Sequence, residues 1–204
     1  AVIVTLSITA IAYNIRPLYE GVAESVRHSA FQVAAVISTT GFATADFNQW
    51  PGMSKTILLL LMFIGGCAGS TAGGFKVARV IMLFKNIRRE IRKMIHKRSV
   101  NPVHFEGKPV DEATFSGVNT YLAVYMLCIL AVFLLVSVDS LGFEANFSAT
   151  VSCVNNIGPF FGGMTSFDAY SQFSKIVFSL AMLFGRLEIF PMIIMLSPRT
   201  WVKK

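Results

Sequence analysis

Two short stretches hold the groups in this 204-residue chain that could do chemistry, Ser38-Thr39-Thr40-Gly41-Phe42 and Asn155-Asn156-Ile157-Gly158-Pro159. Each follows a short apolar run, Glu24 to Ile37 in the first case and Phe143 to Val154 in the second. Neither resembles a catalytic centre: paired carboxylates are missing, and His28, His96 and His104 are scattered. What the stretches offer is backbone. If the preceding run is a helix ending at the break, its negative dipole end and the free carbonyls beyond it can replace water around a cation. Gly41 and Gly158 lack a Cβ, so they can turn carbonyls toward an axis and let backbone approach an ion.

The elements that position these breaks belong in a bilayer. The chain is 54% hydrophobic and 14% charged, with 18 Phe and a mean hydropathy of +0.61, too apolar for an ordinary soluble domain. A spanning helix needs about 20 mostly apolar residues. Val118 to Val138 supplies one without a charge; Ala1 to Ile15, Ser54 to Phe84 and Ser171 to Leu196 are further candidates. The opening run is short and lacks an initial Met and a signal-peptide pattern, so the chain reads as cut from a longer one. A helix from Glu24 to Ile37 rises only about 21 Å and must enter the membrane and return. Lipid cannot satisfy non-helical backbone, so the break at its end should line a watery cavity.

Charge gives the orientation. Ten basic residues fall between Lys76 and Lys108, and Arg199, Lys203 and Lys204 close the chain. Both regions read as cytoplasmic. The segments left for the other side carry Arg16, Arg27, Lys55 and Lys175 against six acids, Glu20, Glu24, Asp46, Asp139, Glu144 and Asp168. A mildly acidic mouth suits a cation path. The basic run from Phe84 to Arg98 reads as a helix end near anionic lipid rather than a nucleic-acid site. Cys67, Cys128 and Cys153 lack the spacing of a metal site or a disulfide framework. Asn146-Phe147-Ser148 fits a glycosylation sequon by chance, inside an apolar helix. Trp50 and Trp201 read as interface anchors, outer and inner.

The chain also repeats itself. "SKTILLLLMFIGG" from Ser54 and "SKIVFSLAMLFGR" from Ser174 align without a gap. Each copy reads as a spanning helix, a short helix, a glycine-containing break and a second spanning helix, giving units 1–96 and 117–204 joined by a cytoplasmic linker 97–116. Gly65 to Gly74 holds five glycines in ten residues. A helix there would lose about 1 kcal/mol per Gly, so an unwound loop at mid-membrane is expected. The alternatives are close helix packing by small residues and a phosphate loop, which Phe75 in place of Lys argues against. Arg186 occupies the place of Gly66 in the repeat. It is a candidate fixed cation beside the path, or else an anchor near Glu188 at the helix end. Pro191 should kink the last helix.

"STTGFATADF", "GGCAGSTAGGFK", "NNIGP" and the closing "GRLEIF" resemble the Trk, Ktr and HKT superfamily of potassium-uptake proteins, and within it the bacterial TrkH type. The resemblance covers nearly the whole chain. It implies an all-α membrane protein with four membrane-pore-membrane units around a pseudo-fourfold axis, of which this chain holds the third and fourth. Ser38, Thr39, Thr40, Gly41 and Phe42, with Asn155, Asn156, Ile157, Gly158 and Pro159, then form two of four selectivity-filter segments for potassium. Gly65, Gly66, Gly69, Ser70, Thr71, Gly73 and Gly74 form an intramembrane loop obstructing the pore, with Arg186 as a gating residue. Also implied are a bacterial inner-membrane location, the N-terminal half of the same protein, a homodimer, a cytosolic nucleotide-binding regulatory partner, and no enzymatic activity or cofactor. Phe160 departs from the small residue expected after Pro159. Sodium selectivity within the same fold, and a membrane-bound redox or enzyme subunit, are the rival readings.

Overall fold

Apolar runs punctuated by Gly, Pro and capping residues dictate a helical chain. The computed structural model describes residues 2–66, 70, 73–96, 104–105, 108–162, 166–187 and 189–196. Its helices are α1 Val2–Ile15, α2 Val22–Ile37, α3 Gly52–Met62, α4 Val77–Ile95, α5 Glu112–Val136, α6 Phe143–Val154, α7 Gln172–Arg186 and α8 Ile189–Leu196. Two short strand pairs accompany them. Ile64–Gly65 (β1) runs parallel to Phe75–Lys76 (β2), and His104–Phe105 (β3) is antiparallel to Lys108–Pro109 (β4).

The helices α1, α2 and α3 all touch one another, as do α5, α6 and α7, and α3 meets α6 between the two sets. Similar local chemistry shapes both sets. Before α3 a 3-10 turn, Phe47–Gln49, is capped by the Asp46 carboxylate, which accepts from the Asn48 N–H; before α7 the turn Phe167–Ala169 is capped by Ser166, which accepts from Asp168. A buried aromatic follows each turn, Trp50 or Tyr170, and then a buried serine, Ser54 or Ser174. Ser54 accepts from Asn14 of α1 at 2.8 Å, while Ser174 receives the Ser171 cap on its N–H.

Four expectations are corrected. Ser54 to Phe84 is not one span: α3 stops at Met62 after 11 residues, about 16 Å, and the next described helix begins at Val77. The glycines between stop it, as their helix cost requires. Ser171 to Leu196 is likewise divided, between α7 and α8. The division at Leu187 precedes Pro191, which falls in the first turn of α8, where its missing N–H costs nothing. Helix α2 starts at Val22 rather than Glu24, with Gly21 at its N-cap. Trp50 is no interface anchor; it is 3% exposed and its Nε1 donates to the Tyr19 hydroxyl at 3.1 Å. Trp201, Glu188 and Cys67 lie outside the described residues.

Of the described helices, α5 alone is long and apolar enough to cross a bilayer. One face of it buries Phe115, Val118, Tyr121, Tyr125, Ile129, Val132 and Val136. The other leaves Leu127, Leu130 and Leu134 exposed.

Candidate functional site

Both helix-ending breaks close with one motif. After α2, Thr39 N–H donates to the Val36 carbonyl at 3.1 Å and Thr40 N–H to Ala35 at 3.0 Å; after α6, Asn156 N–H donates to Cys153 at 3.1 Å and Ile157 N–H to Ser152 at 2.9 Å. This paired pattern is the Schellman cap, and it needs a left-handed residue just past the helix end. Thr39 at φ 55° and Asn156 at φ 57° take that conformation. Each is followed two residues later by a positive-φ glycine, Gly41 at 73° and Gly158 at 106°. The caps use carbonyls of the last helical turn. The carbonyls past that turn, from Ser38 to Gly41 and from Asn155 to Gly158, are the polar groups each break presents, beside the negative end of a helix dipole.

The two breaks come together. A Cβ on Gly41 would overlap the Ile157 carbonyl oxygen and stand 3.1 Å from Pro159 Cδ. Nothing but glycine fits there. A Cβ on Gly158 would meet no atom within 4 Å. Ser38, Thr40 and Phe42 are exposed, whereas Asn155 and Ile157 are buried.

The second break rests on parts of the chain distant in sequence. Asn155 is fully buried, its Oδ1 accepting from the Tyr125 hydroxyl at 2.8 Å and its Nδ2 donating to Val151 at 2.8 Å. Asn156 Nδ2 donates to the Met182 carbonyl of α7 at 3.0 Å, and Ser152 Oγ accepts from Gly158 N–H at 3.0 Å. Ser148 Oγ accepts from Phe161 N–H at 2.9 Å and donates to the Phe161 carbonyl at the same distance. The sequence reading missed Tyr125, Ser148 and Ser152. Their signals were present: a polar-tipped aromatic in a charge-free span, and two hydroxyls one turn apart on the short helix.

The glycine-rich segment seats against this break. A Cβ on Gly73 would overlap the Asn155 carbonyl, one on Gly74 (φ 82°) would stand 2.6 Å from Asn155 Oδ1, and one on Gly65 would overlap the Gly73 carbonyl. The β1–β2 pairing joins the feet of the segment, with Phe75 N–H on the Phe63 carbonyl and Val77 N–H on Gly66, both at 3.3 Å. Ser70 is exposed; Gly69 and Thr71 lie outside the described residues. Gly185 of α7 presses on the Val154 carbonyl, where a Cβ would again overlap. Arg186, the next residue, ends α7 with an exposed side chain.

Phe160 has a physical place. It is 3% exposed and turns into an aromatic cluster with Phe167 at 4.7 Å and Tyr170 at 6.1 Å between ring centroids. Beside it, a cleft of about 500 Å³ opens between Ala43–Asn48 and Pro159–Phe160.

The model of the TrkH family, described as a cation transport protein, matches residues 18–202. The chain belongs to the TrkH family. It is 35% identical over 177 residues to the Trk system potassium uptake protein TrkG of Escherichia coli, a match covering 85% of this chain and 36% of that protein. It is 36% identical over 176 residues to TrkH of Vibrio parahaemolyticus, covering 84% and 36%. The crystal structure of the potassium transporter TrkH from Vibrio parahaemolyticus superposes with a TM-score of 0.88 at 31% identity, covering 98% of this chain and 43% of that one. The chain thus spans about two fifths of the length of these family members.

Proposed function

We propose that this chain is half of a potassium-conducting pore in a bacterial cytoplasmic membrane. Residues 1–96 and 117–204 supply two of four membrane-pore-membrane units, joined by the cytoplasmic linker 97–116. The observation that carries the reading is the matched pair of breaks. Two chain segments of unlike sequence adopt one cap geometry and converge at Gly41 and the Ile157 carbonyl, as adjacent segments of a carbonyl ring must. Ser38 to Phe42 and Asn155 to Pro159 then dehydrate the ion, and α2 and α6 aim their negative ends at it. The N-terminal half of the protein completes the ring. Potassium is cargo and the chemistry is transport, as the names of the matched relatives support; a homodimer and a cytosolic nucleotide-binding partner complete the proposal.

Gating falls to the segment below. Gly65, Gly66, Gly69, Ser70, Thr71, Gly73 and Gly74 obstruct the path, and Arg186 stands beside it as a fixed cation that repels the permeant one more strongly than it would in water. Its guanidinium fork also holds loop carbonyls that Lys would hold less well. The test is initial rubidium and sodium uptake by the full-length protein in cells lacking other potassium systems. Rubidium uptake well above that of sodium is expected. Arg186→Ala should raise the maximal rate several-fold, with Arg186→Lys between. Equal rates for all three forms would reduce Arg186 to an anchor, and absence of uptake by the parent would overturn the pore.

A further inference from the structure

Helix α4 is amphipathic in the inverted sense. Its polar side faces the chain itself: Arg79 Cζ stands 3.9 Å over the Tyr121 ring, Asn86 is buried, Arg89 Cζ lies 4.8 Å over Phe115, and Arg89 and Lys93 both reach Glu112 Oε1, at 3.6 and 3.8 Å. Its apolar side faces outward, where Phe84, Ile87, Ile91, Met94 and Ile95 are between 47% and 77% exposed. These residues recur at helical spacing and form one continuous stripe.

The contacts with α5 serve as a depth gauge. Arg79 lies level with Tyr121, inside the apolar span, while Arg89 and Lys93 lie level with Phe115 and Glu112, where that span begins. Beyond Arg89, α4 therefore runs at the level where a membrane helix meets the headgroups. Arg88 and Arg92, both exposed and one turn apart, border the stripe there. Among the described residues neither has a carboxylate partner, whereas Glu90 is engaged by Arg89 and Lys93.

We propose that Lys85–Ile95 is an interfacial anchor for anionic phospholipid of the inner leaflet. Ile87, Ile91 and Met94 rest in the boundary between headgroups and acyl chains, and Arg88 and Arg92 bind headgroup phosphates. The inference rests on the membrane reading above and goes beyond ion conduction. Charge selects lipid over a second copy of the chain. A symmetric partner would bring its own Arg88 and Arg92 to the same border with no acid to meet them, whereas an anionic headgroup satisfies both, at about 1 kcal/mol per cationic side chain near such a surface. A buried apolar face flanked by Arg is also how interfacial helices hold to a bilayer.

The experiment uses the full-length protein with native cysteines replaced and a nitroxide on Met94→Cys or, in a second preparation, Ile87→Cys. It is reconstituted into vesicles of phosphatidylcholine, alone or mixed with phosphatidylglycerol. In the mixed vesicles dissolved oxygen should relax both labels more than an aqueous nickel chelate does. Arg88→Gln with Arg92→Gln should reverse that preference and weaken phosphatidylglycerol retention through purification by roughly thirtyfold. Nickel dominance in every lipid would overturn the anchor. So would dipolar broadening between two labels, which would place a second copy on the stripe, or shielding from both reagents, which would place protein there. Unchanged retention in the double variant would overturn the headgroup assignment. Rubidium uptake by the same vesicles separates the readings: uptake with a water-exposed label defeats the anchor alone, and a lipid-facing label without uptake supports the anchor while counting against the pore.

Discussion

The two breaks share a backbone and differ in what holds it. The first leans on its own helix: Ser38 Oγ donates to the Ala34 carbonyl at 2.6 Å and Thr40 Oγ1 to Ala35 at 3.4 Å. The second is locked by α5 through Tyr125, by α7 through Met182 and Gly185, and by Gly73 and Gly74. One conformation is thus reached by local capping and again by tertiary packing. The lesson is that capping chemistry specifies the bend, while neighbours decide how firmly it is kept.

The largest test of that contrast sets one glycine against the other. Gly41→Ser places a Cβ on the Ile157 carbonyl, so both breaks must shift; preference for potassium over sodium should collapse, with uptake down by about tenfold or more. Gly158→Ala meets open space and faces mainly the cost of a sparsely populated positive φ, about 1–3 kcal/mol, so ion preference should weaken far less. Uptake ratios for the two variants decide it; equal losses would show that backbone strain rather than contact governs both sites.

A smaller effect is expected at Tyr125→Phe, which leaves the buried Asn155 Oδ1 without its donor. Such an orphaned group costs about 1–3 kcal/mol, and the thermal midpoint of the detergent-solubilised protein should fall by several degrees. Among the described residues the first break has no remote donor of this kind. Ser38→Ala, which removes one exposed hydroxyl bond to the preceding helix turn, should cost about 0.5–1 kcal/mol. A midpoint shift at Ser38 as large as that at Tyr125 would erase the distinction.

The smallest effect is acid dependence in the turn that follows α5. Asp139 is held below the usual carboxylate range by the Ser174 hydroxyl and by the Ser171 backbone N–H, which donates to its Oδ2 at 2.9 Å. Because the folded value is depressed, this contribution is present above the ordinary value near 4 and is lost as pH falls through the folded value. Asp139→Asn should flatten the acid limb of a stability-versus-pH curve by lowering its neutral plateau, with stability at the acid end nearly unchanged.

Much of this was legible in sequence, for local reasons. The helix Phe143–Val154 is bounded as the sequence indicates, because Gly142 precedes it and Asn155 and Gly158 suit a left-handed exit. The glycines after Met62 announce the end of α3. Trp50 misled because an indole near a helix start suits an interface as well as a core, and only the position of Tyr19 decides between them. The seating of Gly73 on Asn155 and the Tyr125 bond join residues far apart in the chain, and no local pattern encodes which partner a glycine will meet.

The equivalent cap bonds carry one more consequence, in hydrogen exchange. Thr40 N–H and Ile157 N–H close the same ring at 3.0 and 2.9 Å, yet Thr40 is exposed and Ile157 is 4% exposed. The first can trade its proton whenever the end of α2 frays, an opening of little cost, whereas the second must wait until α5, α7 and the glycine segment part together. Amides of identical geometry should therefore keep time on separate clocks, and the ratio of their exchange rates measures how much of the second break's rigidity is lent by the rest of the fold.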